Sequence, residues 1–287
     1  MSDERRFVDP RTILARHALR PKRSFGQNFL VAGKIVEKIA DLCVSGLDSP
    51  WIVEIGAGLG TLTAALLARA DHVVAIERDR DMLPILQDEL RADLERGALE
   101  LVEADAAKVD LESLFDRAGS RPRVLAGNLP YQITGKLIER ATELSTKVNR
   151  VVVMVQREVA DRLIAPADGE AYGQLSVFVQ AAFDVKRELL VSAGCFHPMP
   201  EVESAVVVMV PRATPRAVET GTFRSVVHSA FGARRKTLKN ALGALIRADA
   251  VRAAVDATGI DLGRRGETLT VEEFDTLARA IERGRAL

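Results

Sequence analysis

Trp51-Ile52-Val53-Glu54-Ile55-Gly56-Ala57-Gly58-Leu59-Gly60-Thr61-Leu62-Thr63-Ala64-Ala65-Leu66-Leu67 decides the fold. The opening run is apolar and β-branched, which reads as a buried strand. Three glycines follow at alternate positions, and then a run suited to a helix. Strand, glycine turn, helix is the context in which a Gly-rich motif gains meaning. The spacing is G-x-G-x-G and not the dinucleotide G-x-G-x-x-G. The glycines let the backbone pass close to a ligand where any Cβ would collide. A glycine turn alone is a weak signal, so the flanking chain has to carry the reading.

Downstream, His72 to Ile76 is a second strand ending in Glu77. An acid at that tip is placed to take two ribose hydroxyls, although a capping or solvated acid fits the same pattern. Asp79 reads either way. Leu99 to Val102 is a third strand, and Asp105 falls just beyond it. There it can accept from an adenine amine or serve as a plain loop acid. Arg123 to Ala126 is a fourth strand, followed by Gly127-Asn128-Leu129-Pro130-Tyr131. These residues suit a flat base bearing an amine. Asn128 offers an amide oxygen to an exocyclic N–H. Pro130 stiffens the turn so that neighbouring carbonyls point outward. Tyr131 offers an aromatic face for stacking. A proline turn with a core tyrosine is the alternative.

A helix from Thr134 to Leu144, a fifth strand from Arg150 to Gln156 and a helix from Arg157 to Ile164 complete the alternation. Five strand–helix alternations predict a doubly wound α/β fold with a mostly parallel sheet. Such sheets bind ligands at the carboxyl ends of their strands, where all the residues singled out above fall. Tyr172 to about Phe183 reads as another strand. Phe196-His197-Pro198-Met199-Pro200 reads as a rigid loop, and Ala205 to Val210 as a last strand, with antiparallel pairing at one edge.

At the front, residues 1–23 form a basic arm, with Asp9-Pro10 opening a short helix. Ser24 to Leu30 is a polar–aromatic loop leading into a helix from Lys34 to Cys43. At the back, Pro211 to Pro215 reads as a linker, followed by helices near 222–231, 234–246, 248–258 and 270–282. Thr270 and Glu273 form a capping box. The predicted division is an arm at 1–23, an α/β domain at 24–212 and a small helical domain at 213–287.

Lysine plus arginine and aspartate plus glutamate number 40 each, so the net charge is zero. That argues against a protein that coats nucleic acid indiscriminately. Local basic clusters remain: the N-terminal arm, and Arg234, Arg235, Lys236 and Lys239, whose helical setting invites RNA phosphate contacts. No apolar run reaches the roughly 18 residues of a membrane span. The N-terminus lacks the apolar core of a signal peptide. Two cysteines, Cys43 and Cys195, make no disulfide framework or metal-ligand spacing. A cytoplasmic protein without membrane contact and without a metal is expected.

Taken jointly, Gln27-Asn28-Phe29-Leu30, Glu54 to Gly60, Gly127 to Tyr131, Gln156-Arg157-Glu158-Val159-Ala160, Val202-Glu203-Ser204-Ala205-Val206 and Arg235 to Asn240 resemble the ribosomal RNA adenine dimethyltransferases, the kasugamycin-sensitivity enzyme family. The resemblance runs from about Lys22 to the last helix. It implies a Rossmann-like S-adenosylmethionine-dependent methyltransferase domain with a small all-α C-terminal domain. It implies N6,N6-dimethylation of two adjacent adenosines in a hairpin loop near the 3′ end of 16S rRNA, in an immature 30S particle, by a monomer. By motif, Asn28, Leu30, Gly56, Gly58, Glu77, Asp105 and Asn128 would hold the cofactor. Asn128 and the Pro130 carbonyl would accept from the target amine. Phe196 would face Tyr131 across the flipped adenine, and Arg234, Arg235, Lys236 and Lys239 would meet RNA. Glu201 departs from the family, which commonly carries a basic residue there, and Met199 replaces a frequent proline.

Three rival readings share much of this pattern. One is a 23S rRNA adenine methyltransferase of the macrolide-resistance type. Another is a catalytically silent assembly or RNA-binding factor. The third is a small-molecule methyltransferase, against which the aromatic–proline loop and the basic clusters speak.

Overall fold

The computed structural model describes residues 7–22, 26–232 and 236–286. Its chain opens with α1 (Pro10–Arg16), capped by the Asp9 carboxylate, which accepts from the Arg11 N–H. A two-residue strand β1 (Phe29–Leu30) and α2 (Gly33–Val44) follow. Then come β2 (Trp51–Ile55), α3 (Thr61–Leu67), β3 (His72–Glu77), α4 (Leu83–Glu89), α5 (Arg91–Glu95), β4 (Leu99–Glu103), α6 (Leu111–Asp116) and β5 (Arg123–Asn128). A single 3-10 turn, Tyr131–Ile133, leads into α7 (Thr134–Glu143), β6 (Arg150–Gln156) and α8 (Arg157–Ile164). The chain continues with α9 (Gln174–Ala182), β7 (Phe183–Val191), β8 (Phe196–His197), β9 (Ser204–Pro211), α10 (Gly221–Gly232), α11 (Leu238–Ala241), α12 (Asp249–Asp256) and α13 (Val271–Arg285).

Seven strands form one sheet in the order β4-β3-β2-β5-β6-β9-β7. The first five are parallel neighbours, and β9 pairs antiparallel with β6. The chain reverses its strand order beside β2, where β3 lies on one side and β5 on the other. That switch point opens a crevice outside the carboxyl ends of the strands. β2 is buried along its whole length, as expected of a central parallel strand covered on both faces. Helices α2 and α3 pack Val36, Ile39 and Leu66 against Ile52, Val124 and Val152 of the sheet. Gly127 shows why the sequence needs a glycine at the crevice. Its φ is +157°, and a Cβ there would sit 2.4 Å from the Ile55 carbonyl oxygen of the adjacent strand.

The chain divides into two compact units, Met1–Ala160 with Lys186–Pro211, and Asp161–Val185 with Arg212–Leu287. This departs from the predicted division in two ways. First, the N-terminal segment belongs to the α/β unit: Ile13 and Leu14 of α1 share a core with Phe29, Leu59, Met82 and Ile85. Second, residues 161–185 belong with the helical unit. The expected strand from Tyr172 is in fact α9. Its Val177, Phe178 and Val179 have strand-like composition, but they are buried with Phe223, Val226 and Phe274 in a helical core. The Ser176 hydroxyl starts that helix by accepting from the Gly173 N–H at 3.0 Å. Burial on several sides outweighs β propensity here.

The helix expected over 234–246 is also corrected. Among its described residues only α11 forms, and a turn from Gly243 to Ile246 follows it. Ser24 and Phe25 of the predicted loop, together with Arg234 and Arg235, lie outside the described residues. The capping box at Thr270 is present: its hydroxyl accepts from the Glu273 N–H, and Glu273 accepts from the Thr270 N–H.

Candidate active site

An open cleft lies along the carboxyl ends of β2, β3, β4 and β5. Asn28, Leu30, Gly56, Gly58, Glu77, Asp105, Asn128, Pro130 and Tyr131 all line it, so the structure brings together nine residues spread over a hundred positions.

The glycine turn forms the floor. Gly56 and Gly58 have φ of +74° and +57°, conformations that a Cβ disfavours. The Gly58 N–H donates to Glu77 Oε2 at 2.8 Å, and the Arg78 and Asp79 N–H groups both donate to Oε1 at 2.7 Å. A carboxylate has about four acceptor positions, so Glu77 has room for one more donor, on Oε2. Asp105 Oδ1 accepts from the Ala107 N–H at 2.9 Å, and Oδ2 lies 3.8 Å from the Arg78 guanidinium. Arg140 on α7 donates to the Ala106 carbonyl at 2.7 Å and so holds the loop that carries Asp105.

Opposite the glycine turn, the Asn28 segment is tied down at several points. The Gln27 amide donates to Asp79 Oδ2 at 2.8 Å, and the Lys22 ammonium donates to Asp79 Oδ1 at 2.6 Å. Asp79 is 2% exposed. Burial alone would raise its pKa, but the bonds from Lys22, Asp81 and Gln27 prevail and hold it below the usual carboxylate value. Strand β1 pairs with β8 through Leu30 and Phe196. The Asn128 amide NH₂ donates to the Asn28 carbonyl at 3.2 Å, which leaves its Oδ1 turned to other donors.

The family described as "Ribosomal RNA adenine dimethylase" matches residues 18–283. The chain belongs to the ribosomal RNA adenine dimethylase family. The ribosomal RNA small subunit methyltransferase A of Anaeromyxobacter dehalogenans is 44% identical over 286 residues, covering 96% of this chain and 99% of that protein. A dimethyladenosine transferase structure from Plasmodium falciparum superposes with a TM-score of 0.71 at 22% identity, covering 84% of this chain and 93% of that one. The structure of the 23S rRNA methyltransferase ErmE superposes with a TM-score of 0.64 at 23% identity, covering 89% of this chain and all of that one. These two likenesses show the fold, a Rossmann-like methyltransferase domain with a helical unit. As a member of the dimethylase family the chain is an rRNA methyltransferase of the S-adenosylmethionine-dependent class.

Two expected roles do not fit this dimethylase. The Pro130 carbonyl already accepts from the Ile133 N–H at 3.1 Å and the Thr134 hydroxyl at 3.0 Å, because it closes the turn that starts α7. It is therefore no free acceptor for a target amine. The Leu129 carbonyl, one residue earlier, accepts no hydrogen bond among the described residues. Phe196 is 4% exposed and packs in the apolar core with Leu30 and Val206, so it does not line the cleft. Its ring is needed there to seat β8 on β1. Lys236 is exposed on the helical unit, and so is Lys239. Glu201 is exposed, and so is Met199, at 71%.

Glu54 is a cleft residue that lies within a sequence motif but has no role assigned to it from the sequence. It lines the cleft, is 1% exposed, and its Oε2 has no hydrogen-bond partner among the described residues. Burial pushes its carboxyl up to about 7; the Thr63 hydroxyl draws it partly back, and the Glu77 charge adds to the rise. A lone acid inside an otherwise apolar strand is the signal that marks it. Buried carboxylates are normally paired, so an unsatisfied oxygen here stands out.

Proposed function

We propose that this protein transfers methyl groups from S-adenosylmethionine to the exocyclic amines of two adjacent adenosines in a hairpin loop near the 3′ end of 16S rRNA, giving N6,N6-dimethyladenosine. The observation that carries the reading is the Asn128 side chain, fixed by Asn28 with its amide oxygen left for the substrate, at the mouth of the cleft. Homologues that share about two-fifths of the sequence over nearly the full length carry the small-subunit name, which favours that rRNA over the large-subunit one.

The cleft suits the cofactor on chemical grounds. The glycine floor leaves space where side chains would intrude, and Glu54 offers a buried, unsatisfied oxygen to the ammonium of the methionine part. Glu77 Oε2 accepts one ribose hydroxyl, and Asp105 accepts from the adenine amine. Leu30 closes the cleft from the β1 side. When bound, the cofactor supplies an electrophilic sulfonium methyl.

The protein's task is to make a poor nucleophile point the right way. Adenine's amine lone pair is delocalised into the ring. In the first round two hydrogen bonds from that amine, to Asn128 Oδ1 and the Leu129 carbonyl, favour a tetrahedral nitrogen and turn its lone pair toward the methyl; the monomethylated amine has one N–H left and keeps one of these bonds in the second round. Tyr131 stacks on the base, which must leave its own stack at a cost of a few kcal/mol, least in a loop. Positioning is the main contribution. After transfer the nitrogen is acidic and sheds its proton to water, so no side-chain base is required.

Lys236 and Lys239, with Arg234 and Arg235, take RNA phosphates. The protein works as a monomer in the cytoplasm on an immature small subunit. No helix among the described residues is long and apolar enough to cross a membrane. The test is to incubate the protein and methyl-labelled S-adenosylmethionine with small and large ribosomal subunits that lack these methyl groups. Label on the small subunit alone supports the proposal. Label on the large subunit alone replaces it with the macrolide-resistance type of reaction.

A further inference from the structure

Two of the motifs singled out in the sequence have no part in the methyl-transfer reading above: Gln156-Arg157-Glu158 and Val202-Glu203-Ser204. The fold clips them together. Strands β6 and β9 run antiparallel with Gln156 opposite Ser204. Just past that pair, the Arg157 N–H donates to the Glu203 carbonyl at 2.9 Å, and the Arg157 guanidinium meets the Glu203 carboxylate at 2.8 Å. This fixes the first residues of β9. Ser204 is fully buried, and its hydroxyl oxygen lies 2.8 Å from the phenol oxygen of Tyr131.

We propose that Ser204 is a positioning residue for the methyl-transfer site: its hydroxyl holds the outer end of the Tyr131 ring, so that one ring face is presented steadily to the target adenine. The proposal rests on the reading that Tyr131 stacks on that base. Tyr131 sits at the start of a single 3-10 turn, so its backbone is held by little regular structure. Rotation of a tyrosine ring about its last side-chain torsion is broad and not sharply staggered. A hydrogen bond at the far end of the ring supplies the missing constraint, and a buried serine on a clipped strand is a rigid partner for it.

The consequence differs between the two rounds of transfer. A monomethylated amine is bulkier than the first-round amine and must enter the same slot. A loosened ring therefore harms the second transfer more than the first, and the monomethylated product accumulates.

The experiment uses the full-length protein with unmethylated small subunits and compares Ser204→Ala, Tyr131→Phe, their double variant, Ser204→Thr and Tyr131→Ala. Tyr131→Phe removes the same hydrogen bond from the other side without touching β9, so misfolding of one variant does not decide the matter. Ser204→Ala and Tyr131→Phe should each lower kcat about five- to tenfold, the worth of one hydrogen bond. The KM for S-adenosylmethionine should hold, and the share of N6-monomethyladenosine should rise. The double variant should be no worse than either single, and Ser204→Thr should restore most of the rate. An unchanged kcat in Ser204→Ala, multiplicative losses in the double variant, or a matching rise in cofactor KM would overturn the proposal. Tyr131→Ala separates it from its parent: if that variant keeps full activity, the stacking role itself fails. If Tyr131→Ala collapses while Ser204→Ala is silent, only the clamp fails.

A spectroscopic reading adds a second check. The chain has two tyrosines. Burial raises the phenol of both, strongly for Tyr172, and the Ser204 hydroxyl pulls Tyr131 back down. Ser204→Ala should therefore move the lower of the two phenol ionisations to higher pH. No movement would count against the bond.

Discussion

The Asn128 side chain donates to the Asn28 backbone carbonyl at 3.2 Å, across one hundred residues of sequence. This one hydrogen bond joins the end of β5 to the Asn28 segment on the other side of the cleft. It also decides which end of the Asn128 amide is left for substrate. Asn128→Ala removes both the acceptor and the tie. The expected outcome is a loss of about 10²–10³ in kcat, comparable to deleting one preorganised hydrogen-bonding group in other sites. Cofactor affinity should fall only a few-fold, which equilibrium titration would measure beside the turnover assay.

Glu54 gives the cofactor site a pH dependence of definite sign. Its carboxyl is raised to about 7 in the folded protein because it is buried. A raised acid favours the neutral form in the free protein. Its contribution to stability is thus fully present below the ordinary carboxylate pKa and is lost as pH rises through about 7. Binding of a cationic group runs the other way, since it needs the carboxylate. S-adenosylmethionine affinity should rise about tenfold from about pH 6 to about pH 8, as the charged fraction rises by that factor. Glu54→Gln should flatten the profile. A flat profile in the unaltered protein would detach Glu54 from the cofactor's ammonium.

Gly127→Ala tests the crevice from the side of packing. The added methyl would meet the Ile55 carbonyl at 2.4 Å, in a backbone conformation that suits glycine. Overpacking plus strain should cost about 3 kcal/mol or more. Denaturant unfolding would read this as a lower midpoint. Stability within a few tenths of a kcal/mol of the parent would mean that β2 and β5 yield more than the register implies.

The basic segment of the helical unit calls for a salt titration. Replacing Lys236 and Lys239 by glutamine should weaken binding to the rRNA. The slope of log affinity against log salt should fall by roughly one for each phosphate that is no longer neutralised. The cofactor affinity should not move. An unchanged slope would remove these two lysines from the RNA surface.

The parallel half of the sheet is legible in the sequence because each strand is an apolar run between turn signals, and Gly56, Glu77, Asp105 and Asn128 fall at or just past the strand ends. Arg150–Gln156 and Arg157–Ile164 have the predicted bounds. α9 is not legible, since Val177, Phe178 and Val179 look the same in a buried helix as in a strand. Only the helical core around them decides. The same holds for Phe196. The sequence places an aromatic in a loop beside the site, but the pairing of β1 with β8 turns it into the core. The Pro130 carbonyl reads as free in the sequence because its bonds to Ile133 and Thr134 exist only once α7 begins at Thr134. Glu54 stands out in the sequence as a lone acid in an apolar strand, but that mark alone assigns it no role. What marks it in the structure is burial with Oε2 left without a partner among the described residues.

The central claim is that the end of β5 holds an adenine amine for two successive methylations. Nucleoside analysis of small-subunit rRNA after reaction with labelled S-adenosylmethionine tests it most directly, with the unaltered protein and Asn128→Ala side by side. The expected result is label in N6,N6-dimethyladenosine, lost in Asn128→Ala while that variant still binds the cofactor. Label in any other nucleoside, or full dimethylation by Asn128→Ala, would contradict it.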